Sequence, residues 1–342
     1  MKVAVGMRPY AGPWGGGNRF IAALVDGLTA AGHTVQFDLR DPAIDVILLV
    51  DPRVRSPNVT FGAGAILRYL AFTNPGAVVV HRINECDERK GEPVINHRLV
   101  RANYCADWTV FVGTWLTGLP VWQQHLRTPW RVVLNGADRR LFNAAGFAPW
   151  PGEGPLRLVT HHWGTHRLKG FDVYEAIDAR LDDPAFAARF AFTYVGRVPN
   201  GFRFRNVRLV APLDGSPLGE ELRRHHAYLT GSINEPGGNH QNEGALCGLP
   251  LVYRNSGCLP EYCTGFGVAY DGPGDVFAAL DRLAASYDDL AARMPAYPRT
   301  AERMVADWLA VLDEAFAARE KMVRHRRIWR DPLRFAINQL PI

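Results

Sequence analysis

Short apolar segments of the length of buried β-strands alternate with helix-length amphipathic segments, and this alternation limits the fold more than any other feature of the sequence. The chain opens with the strand KVAVGM, the glycine-rich loop RPYAGPWGGGN, the helix RFIAALVDGLTAAG ended by Gly32, and the strand TVQFDL. This order is typical of the start of a doubly wound α/β domain. Four apolar runs follow, as expected of parallel strands covered on both faces: DVILLV, AVVVHRI, DWTVFVG and WRVVLNGAD.

The same pattern begins again after residues 143–155, a segment rich in glycine and proline (NAAGFAPWPGEGP). The second half contains a helix, FDVYEAIDARL, helical patterns at about residues 275–290 and 299–322, and the strands LRLVTHHW, FAFTYVG, NVRLVAPL, LPLVY and GVAYDG. A chain of 342 residues is long enough for two domains. We therefore predict an α/β fold with two Rossmann-like, doubly wound domains, residues 1–150 and 151–318, and a C-terminal helical segment, residues 319–342.

Composition narrows the class of protein. Hydrophobic residues make up 47% of the chain and charged residues 21%, which is typical of globular proteins. The start, MKVAVGM, is too short for a signal peptide, and no apolar run reaches the roughly 18 residues of a membrane span. The five cysteines are scattered without a C-x-x-C pair, which indicates neither a disulfide framework nor a zinc site. We expect a soluble, cytoplasmic protein.

The net charge of +5 is unevenly distributed. Residues 1–150 hold 16 Lys and Arg against 11 Asp and Glu, whereas residues 151–342 hold 23 of each. Within the second half, residues 319–334 contain seven basic and two acidic residues. Such charge favours phosphorylated small molecules, nucleic acid and an anionic membrane about equally. The basic C-terminal segment is either a solvated helix or a site of peripheral membrane contact; we predict no nucleic-acid partner.

Residues 235–243, EPGGNHQNE, carry two glutamates eight positions apart. The pattern predicts a strand over residues 228–233, a turn at Pro236-Gly237-Gly238 and a helix from about Asn239 to Cys247, with Gly248 as its C-cap. Free N–H groups at such a helix start attract phosphate oxygens, and glycine lets the anion approach the backbone. Glu243 is placed to accept hydrogen bonds from a ribose diol, and Glu235 to contact a third group. Together they predict a site for a nucleoside diphosphate sugar; the alternative is that both glutamates are ordinary surface charges.

The run NEPGGNHQNEGALCGLPLVYRNSGCLPEY resembles the E-x7-E region of the retaining family 4 glycosyltransferases, which have the GT-B fold. Four further stretches are similar to that family in the same order: the loop with Gly15, Gly16 and Gly17, then AVVVHRINE, VVLNGADRRLF and THHWGTHRLKGFD. The resemblance covers nearly the whole chain. It implies two domains that face each other across a cleft, with the acceptor in the first and the nucleotide sugar in the second, and a last helix that crosses back to the first domain.

The resemblance also implies roles for single residues. Lys169 would stabilise the leaving diphosphate, Glu235 would contact the transferred sugar, and Glu243 would hold the ribose. The backbones of Gly16 and Gly17 would approach the same phosphates, and Pro236, Gly237, Gly238 and Asn239 would complete the donor site. His81 matches a histidine near the sugar and acceptor, with Arg82 and Asn84 as its neighbours. A structural histidine and a solvated lysine in a turn are the alternatives for His81 and Lys169.

The sequence departs from the family pattern at one position. Many members carry a Gly-Arg pair five positions before the lysine, whereas this chain has Trp163-Gly164. Arg167 and Arg197 are the candidates for the missing phosphate-binding cation. No D-x-D motif is present, and the adjacent His161 and His162 point to opposite faces of a strand, so we predict no metal and no cofactor.

Trp14 and Trp115 are candidates for apolar acceptor platforms, the alternative being ordinary core positions. Two other functions stay open: a catalytically silent GT-B domain that binds a sugar nucleotide or a partner, and a GT-B sugar-nucleotide epimerase or glycoside phosphorylase. The composition, rich in Ala, Arg and Gly, points to a bacterial source. The nucleotide base, the sugar and a small-molecule, polysaccharide or lipid acceptor are not determined by the sequence.

Overall fold

The computed structural model describes residues 1–10, 16–53, 56–89, 91, 93–326 and 328–340. The chain divides into two compact units. Unit 1 comprises Met1–Leu134 and Glu302–Ile342, and unit 2 comprises Asn135–Ala301. The boundaries predicted from the sequence were residues 150 and 318. In the structure, residues 135–150 belong to unit 2 and residues 302–318 belong to unit 1.

Each unit contains one parallel six-stranded sheet. The strands of unit 1 are β1 Lys2–Val5, β2 Thr34–Gln36, β3 Val46–Leu49, β4 Val78–Ile83, β5 Trp108–Phe111 and β6 Trp130–Val132, in the order β2-β1-β3-β4-β5-β6. The strands of unit 2 are β7 Leu156–His162, β8 Phe190–Gly196, β9 Arg208–Val210, β10 Ala227–Thr230, β11 Leu251–Arg254 and β12 Gly267–Tyr270, in the order β12-β11-β10-β7-β8-β9. Unit 1 therefore has a flavodoxin-like order and unit 2 the order of dinucleotide-binding folds. The predicted fold class of two doubly wound sheets is confirmed.

The helices connect these strands. In chain order they are α1 Gly16–Ala30, α2 Ala63–Phe72, α3 Ile95–Asn103, α4 Thr114–Thr117, α5 Pro120–His125, α6 Phe171–Arg180, α7 Pro184–Ala187, α8 Gly215–Arg223, α9 His240–Leu246, α10 Leu259–Cys263, α11 Val276–Ala285, α12 Tyr287–Arg293, α13 Ala301–Ala317, α14 Arg319–His325 and α15 Pro332–Asn338. Short 3-10 turns cover Asp87–Arg89, Arg167–Lys169 and Met294–Ala296. Among the described residues, no helix is long and apolar enough to cross a bilayer.

The sheets are covered on both faces because alternate strand residues point to opposite sides. In unit 1, Val3 and Val5 pack in one core cluster with Phe20 of α1 and Trp308 of α13. Ala4 belongs to the cluster on the other face, which α2 covers. In unit 2, one cluster joins β7, β8, β10 and β11 to α6 and α11. All five cysteines are buried free thiols.

Candidate functional site

The connections between the strands of unit 2 change direction at β7. β8 and β9 extend the sheet on one side of β7, whereas β10, β11 and β12 extend it on the other. In open parallel sheets, ligands bind outside the carboxyl ends of the strands at the point where the order reverses. The predicted donor residues follow the two strands that meet at this point: Lys169 follows β7, and Glu235, Pro236, Gly237, Gly238 and Asn239 follow β10.

Lys169 and Glu235 form an ion pair that is largely withdrawn from solvent. Lys169 Nζ donates a hydrogen bond to Glu235 Oε2 at 2.6 Å, and the two side chains are 13% and 7% exposed. A lysine in a solvated turn would be far more exposed than this. Since an ammonium group has three hydrogens, Glu235 engages one of its three donors. The pair places a positive charge and a carboxylate at the reversal point of the sheet.

Two glycines allow this pair to form, because they let the loops after β7 and β10 approach each other. Gly170 has a φ of +102°, and a Cβ there would lie 2.4 Å from the Cα of Gly231. The Ile233 N–H then donates to the Leu168 carbonyl at 2.8 Å. A side chain at Gly170 would be strained by its backbone conformation and would also push the loops apart. The sequence K-G-F-D thus brings Lys169 to Glu235 through the glycine that follows the lysine.

The backbone around Glu235 is held from a second side by the segment after β11. Asn234 adopts a left-handed conformation with φ +52°, and its N–H donates to Ser256 Oγ at 2.9 Å. The Cys258 N–H donates to the Glu235 carbonyl at 2.9 Å. Gly257 lies between them, and a Cβ there would be 2.5 Å from the Glu235 nitrogen. Left-handed backbone in a residue other than glycine is uncommon, and such strain is frequent at ligand sites.

Glu243, the second carboxylate of the motif, is held by a histidine. Glu243 is 4% exposed and its Oε2 lies 2.7 Å from His161 Nε2. The other ring nitrogen, Nδ1, lies 3.0 Å from the Tyr228 hydroxyl. Burial raises the pKa of Tyr228 well above its ordinary value, so the hydroxyl stays protonated. The hydroxyl oxygen also accepts from the backbone N–H of His161 at 3.1 Å. Because a carboxylate can only accept, Nε2–H of His161 is the donor to Glu243.

Two further imidazoles lie beside this chain of hydrogen bonds. His162 Nε2 is 2.8 Å from the Tyr174 hydroxyl, and His240 Nε2 is 2.8 Å from Thr230 Oγ1. The rings of His162 and His240 are 4.8 Å apart between centroids. Burial lowers the pKa of His240 to about 3, so this imidazole is neutral at physiological pH. No group of three or more His, Cys, Asp or Glu in the described part of the chain is arranged to hold a metal ion.

The structure distinguishes the two arginines that could replace the missing phosphate-binding cation. Arg167 is directed to Glu175, with Nη2 2.6 Å from Oε1, and its side chain is 61% exposed. Arg197 directly follows β8 at the carboxyl edge of the sheet, and it is exposed. Its N–H donates to the carbonyl of His162. No ion pair of Arg197 is found among the described residues, so Arg197 is the better placed of the two.

Amide side chains hydrogen-bond to the backbone carbonyls of the turn after Glu235 and hold it in place. Asn135 Nδ2 donates to the Gly237 carbonyl at 2.6 Å, and Gln241 Nε2 donates to the Gly238 carbonyl at 2.7 Å. A Cβ on Gly238 would lie 2.8 Å from the ring of His240, so only glycine fits there without a shift. The helix α9 begins at His240 and ends at Leu246, one residue inside each predicted end, and Gly248 has the positive φ of +93° expected of a C-cap.

The first candidate group of unit 1 is the glycine-rich loop. Trp14 and Gly15 lie outside the described residues. Gly16 begins α1, and a Cβ on Gly17 would meet no atom of the described residues within 4 Å.

His81 is fully buried on β4, with 0% exposure. Its Nδ1 lies 2.9 Å from Asn103 Oδ1, which also accepts from Thr109 Oγ1 at 3.1 Å. Burial lowers the pKa of His81 to about 4, so the imidazole is neutral and Nδ1–H is the donor. These contacts favour the structural alternative for His81.

The other candidates in unit 1 differ in accessibility. Arg82 is 2% exposed, and its guanidinium lies 3.8 Å from the centroid of the Phe20 ring. Trp115 is partly buried and packs against a core cluster of unit 1. Asn84 is partly exposed directly after the end of β4, at the carboxyl edge of the sheet. Of these three, only Asn84 has the position expected of a ligand-binding residue.

Several residues that shape the site were missed by sequence reasoning. Tyr228 and His161 orient Glu243, and Arg254 Nη1 contacts both carboxylate oxygens of Asp172, at 3.0 and 2.8 Å. Asp172 belongs to the K-G-F-D motif, and Arg254 ends β11. These partners are separated by 67 to 82 positions in the sequence, so no local pattern indicates the pairs.

No protein-family model matches the chain, and no curated protein matches its sequence. Solved structures do match it. Sucrose-phosphate synthase from Thermosynechococcus elongatus is 14% identical with a TM-score of 0.65, and the match covers 93% of this chain and 100% of that one. HepE of Anabaena, solved in complex with UDP, is 12% identical with a TM-score of 0.64, covering 92% and 100%.

A third similar structure is AviGT4, a glycosyltransferase involved in avilamycin A biosynthesis. It is 18% identical with a TM-score of 0.59, and the match covers 93% of this chain and 98% of that one. Likeness at these identities shows the fold alone. The two parallel six-stranded sheets with their flanking helices are those of the GT-B glycosyltransferases, and this chain has the GT-B fold.

Proposed function

We propose that the chain is a retaining glycosyltransferase of the family 4 type, which transfers a sugar from a nucleoside diphosphate sugar to an acceptor hydroxyl without a metal. The observation that carries the proposal is the pair of carboxylates eight positions apart at the reversal point of unit 2. Glu235 is paired with Lys169 at 2.6 Å, and Glu243 is oriented by His161 at 2.7 Å. Surface glutamates would be neither buried nor held in this way.

The donor is recognised in three parts. Glu243 accepts hydrogen bonds from the ribose hydroxyls, because the Tyr228–His161 chain keeps its carboxylate oriented. Lys169 and Arg197 provide positive charge for the diphosphate, and glycine at positions 237 and 238 lets its oxygens approach the backbone. Glu235 binds hydroxyls of the sugar next to the diphosphate.

Catalysis rests on positioning and charge. Negative charge grows on the diphosphate as the glycosidic bond breaks, and a cation placed there before the reaction stabilises that charge without reorganisation. Glu235 holds Lys169 in place before the donor arrives. The acceptor hydroxyl attacks the sugar from the face that the diphosphate leaves, which gives retention. A phosphate oxygen takes the proton of the acceptor hydroxyl. The two cations and the lack of a D-x-D motif support a reaction without metal.

The acceptor is proposed to bind to unit 1, where Asn84 is the best placed of the predicted acceptor residues. Similar solved structures support the type of donor. HepE was also solved with UDP and glucose, and a pneumococcal O-GlcNAc transferase of 13% identity and TM-score 0.57 was solved with UDP and GlcNAc.

A thermal-shift panel tests the proposal. UDP, GDP, ADP and TDP, with their common sugar conjugates, are added to the wild type and to Glu243→Gln in the presence of a chelator. A ligand present at about a hundredfold excess over its dissociation constant stabilises the folded state by about 2.7 kcal/mol. We expect one nucleotide series to raise the melting temperature of the wild type and to lose most of that effect in Glu243→Gln. Glu153→Gln, a change at an exposed position of the linker, is the matched control and keeps the full shift.

If no nucleotide shifts the wild type, the donor site is refuted. A shift that persists in Glu243→Gln contradicts the role of that residue. Binding without any transfer or hydrolysis of the sugar nucleotide, over a broad set of acceptors, would instead support the catalytically silent domain.

A further inference from the structure

Exposed apolar side chains are concentrated on one part of unit 1. Eight large hydrophobic residues are exposed among those described, and three of them are scattered: Val94, Trp130 and Leu209. The other five form what we term the apolar face: Phe72 at 73%, Trp329 at 55%, Leu333 at 69%, Ile337 at 39% and Leu340 at 62% exposure. Four of these five belong to residues 329–340, and the fifth, Phe72, contacts Trp329. Single exposed hydrophobic residues are normal, but several in one region mark an interaction surface.

The apolar face is part of a packed element. Phe335 of α15 packs against the core and stacks on the ring of Trp329 at 4.4 Å between centroids, and Asn338 is buried. Leu333 and Ile337 are four residues apart in α15, which puts them on one side of the helix, and Leu340 lies two residues beyond its end. α15 contacts α2 and α3 on one side, and its other side, which carries Leu333 and Ile337, is exposed to solvent.

Side chains and rings hold the apolar face to the rest of unit 1. The guanidinium of Arg101 donates to the carbonyls of Ile337 and Leu340, and that of Arg68 donates to Gln339. The rings of Phe72 and Trp329 are 6.1 Å apart in an edge-on contact. The apolar side chains are therefore presented together by a fixed backbone.

The charges around the apolar face are mainly positive. Lys321, Arg324, Arg330 and Arg334 are exposed in the adjoining segment, and residues 319–334 contain seven basic residues against two acidic ones. Of the two acidic residues, Asp331 caps α15 and pairs with Arg334 at 3.2 Å. This charge is complementary to an anionic surface, whereas a second copy of the chain would bring like charges together.

A cavity of about 500 Å³ adjoins the apolar face. Its wall includes Leu70, Met322 and Ile328, and the basic residues Lys321, Arg330 and Arg334 also line it. The cavity lies at the amino ends of β5 and β6, whereas the predicted ligand residues of unit 1 lie at the carboxyl edge of the same sheet. A cavity whose wall combines apolar and basic side chains suits the acyl chain and phosphate of an anionic lipid.

We propose that the apolar face docks on a bilayer that contains anionic phospholipid. The five apolar side chains enter the boundary between headgroups and acyl chains, and the adjoining basic side chains contact lipid phosphates. α15 has seven residues and therefore lies on the bilayer instead of crossing it. The proposal is independent of the donor site and does not require the chain to bind a sugar nucleotide.

Vesicle sedimentation tests this docking. The wild type is mixed with vesicles of phosphatidylcholine alone and with vesicles containing about one-third phosphatidylglycerol. We expect at least tenfold stronger partitioning to the anionic vesicles, and a fall with added salt because the headgroup contacts are screened. The triple variant Leu333→Ser, Ile337→Ser, Leu340→Ser should partition at least tenfold less. Leu209→Ser, which changes a leucine of similar exposure in unit 2, should change partitioning less than twofold.

Melting curves of the free proteins check that the triple variant is folded. Because the replaced side chains are exposed, its melting temperature should match that of the wild type.

The double variant Arg330→Gln, Arg334→Gln provides an independent test, and we expect it to reduce binding to the anionic vesicles and to weaken the salt dependence. Equal binding to neutral and anionic vesicles, no binding to either, or wild-type binding by both variants would overturn the proposal. So would a dimer in light scattering that the triple variant abolishes, since the face would then be an interface between copies.

Discussion

Replacing Gly170 by alanine tests how the site is assembled. Gly170 has a φ of +102°, and an added Cβ would lie 2.4 Å from the Gly231 Cα and 2.5 Å from its carbonyl carbon. Both of these atoms belong to backbone, which cannot swing aside as a side chain can. The substitution should therefore separate the loops after β7 and β10 and move Lys169 away from Glu235.

The expected cost has two parts. A residue other than glycine in a left-handed conformation costs about 1–2 kcal/mol. The overlap with backbone adds about 1–3 kcal/mol, the usual cost of forcing extra atoms into a packed site. We therefore expect Gly170→Ala to lower the free energy of unfolding by about 2–5 kcal/mol. The control Gly201→Ala has a similar conformation, with φ +78°, and no atom within 4 Å of its added Cβ, so it should lose only about 1–2 kcal/mol.

Urea unfolding followed by tryptophan fluorescence gives both free energies, and titration with the active nucleotide gives the affinity of each folded variant. We expect Gly170→Ala to bind the nucleoside diphosphate at least tenfold more weakly and Gly201→Ala to bind it normally. Equal losses of stability in the two variants, together with normal binding by Gly170→Ala, would refute the reasoning that the glycine contact positions Lys169.

Three further predictions concern single side chains. The folded-state pKa of His81 is about 4, below the ordinary value of 6.5, so the unfolded chain binds more protons between these values and the free energy of unfolding falls as the pH is lowered. His81→Gln should therefore remove about 2 kcal/mol of the stability loss between pH 7 and pH 5 in urea unfolding, and an unchanged pH dependence would contradict this. Tyr228→Phe should weaken nucleotide binding about tenfold in calorimetry, whereas Tyr287→Phe, which removes another buried hydroxyl of unit 2, should leave binding unchanged. Each substitution should cost about 1–3 kcal/mol of stability. Equal nucleotide affinities of the two variants would count against the hydrogen-bonded chain to Glu243. Arg197→Ala should lower the affinity for the diphosphate about tenfold and Arg167→Ala less than twofold, and the reverse order would assign the phosphate cation to Arg167.

The fold was predictable because strand and helix lengths, glycine turns and a glycine-rich linker are local signals. The helix of the E-x7-E motif was also predicted to within one residue at each end of α9. The division between units was not placed by these signals. Residues 135–150 join unit 2 through contacts such as that of Asn135 with Gly237, which are distant in sequence.

The sequence predicted individual site residues but not the contacts between them. The sequence contains Lys169, Glu235 and Glu243, yet it does not reveal that Lys169 pairs with Glu235 or that His161 holds Glu243. The sequence indicates only that the adjacent His161 and His162 point to opposite faces of a strand. Their partners, Glu243 and Tyr174, come from α9 and α6, and the positions of those helices depend on the packing of the whole sheet.

Weighing the two alternatives for His81 also depends on the structure. A histidine near the end of a strand in a motif-like segment is equally compatible with catalysis and with burial. Only the complete burial of the ring and its bond to Asn103 distinguish the two.

The most direct test of the account compares the affinities of a nucleoside diphosphate and the corresponding monophosphate. Calorimetric titrations are made with the wild type, Lys169→Gln and Glu243→Gln. If Lys169 binds the diphosphate and Glu243 binds the ribose, the wild type prefers the diphosphate at least tenfold, Lys169→Gln loses that preference, and Glu243→Gln weakens both ligands equally. A preference for the diphosphate that survives unchanged in Lys169→Gln would contradict the assignment of the donor site.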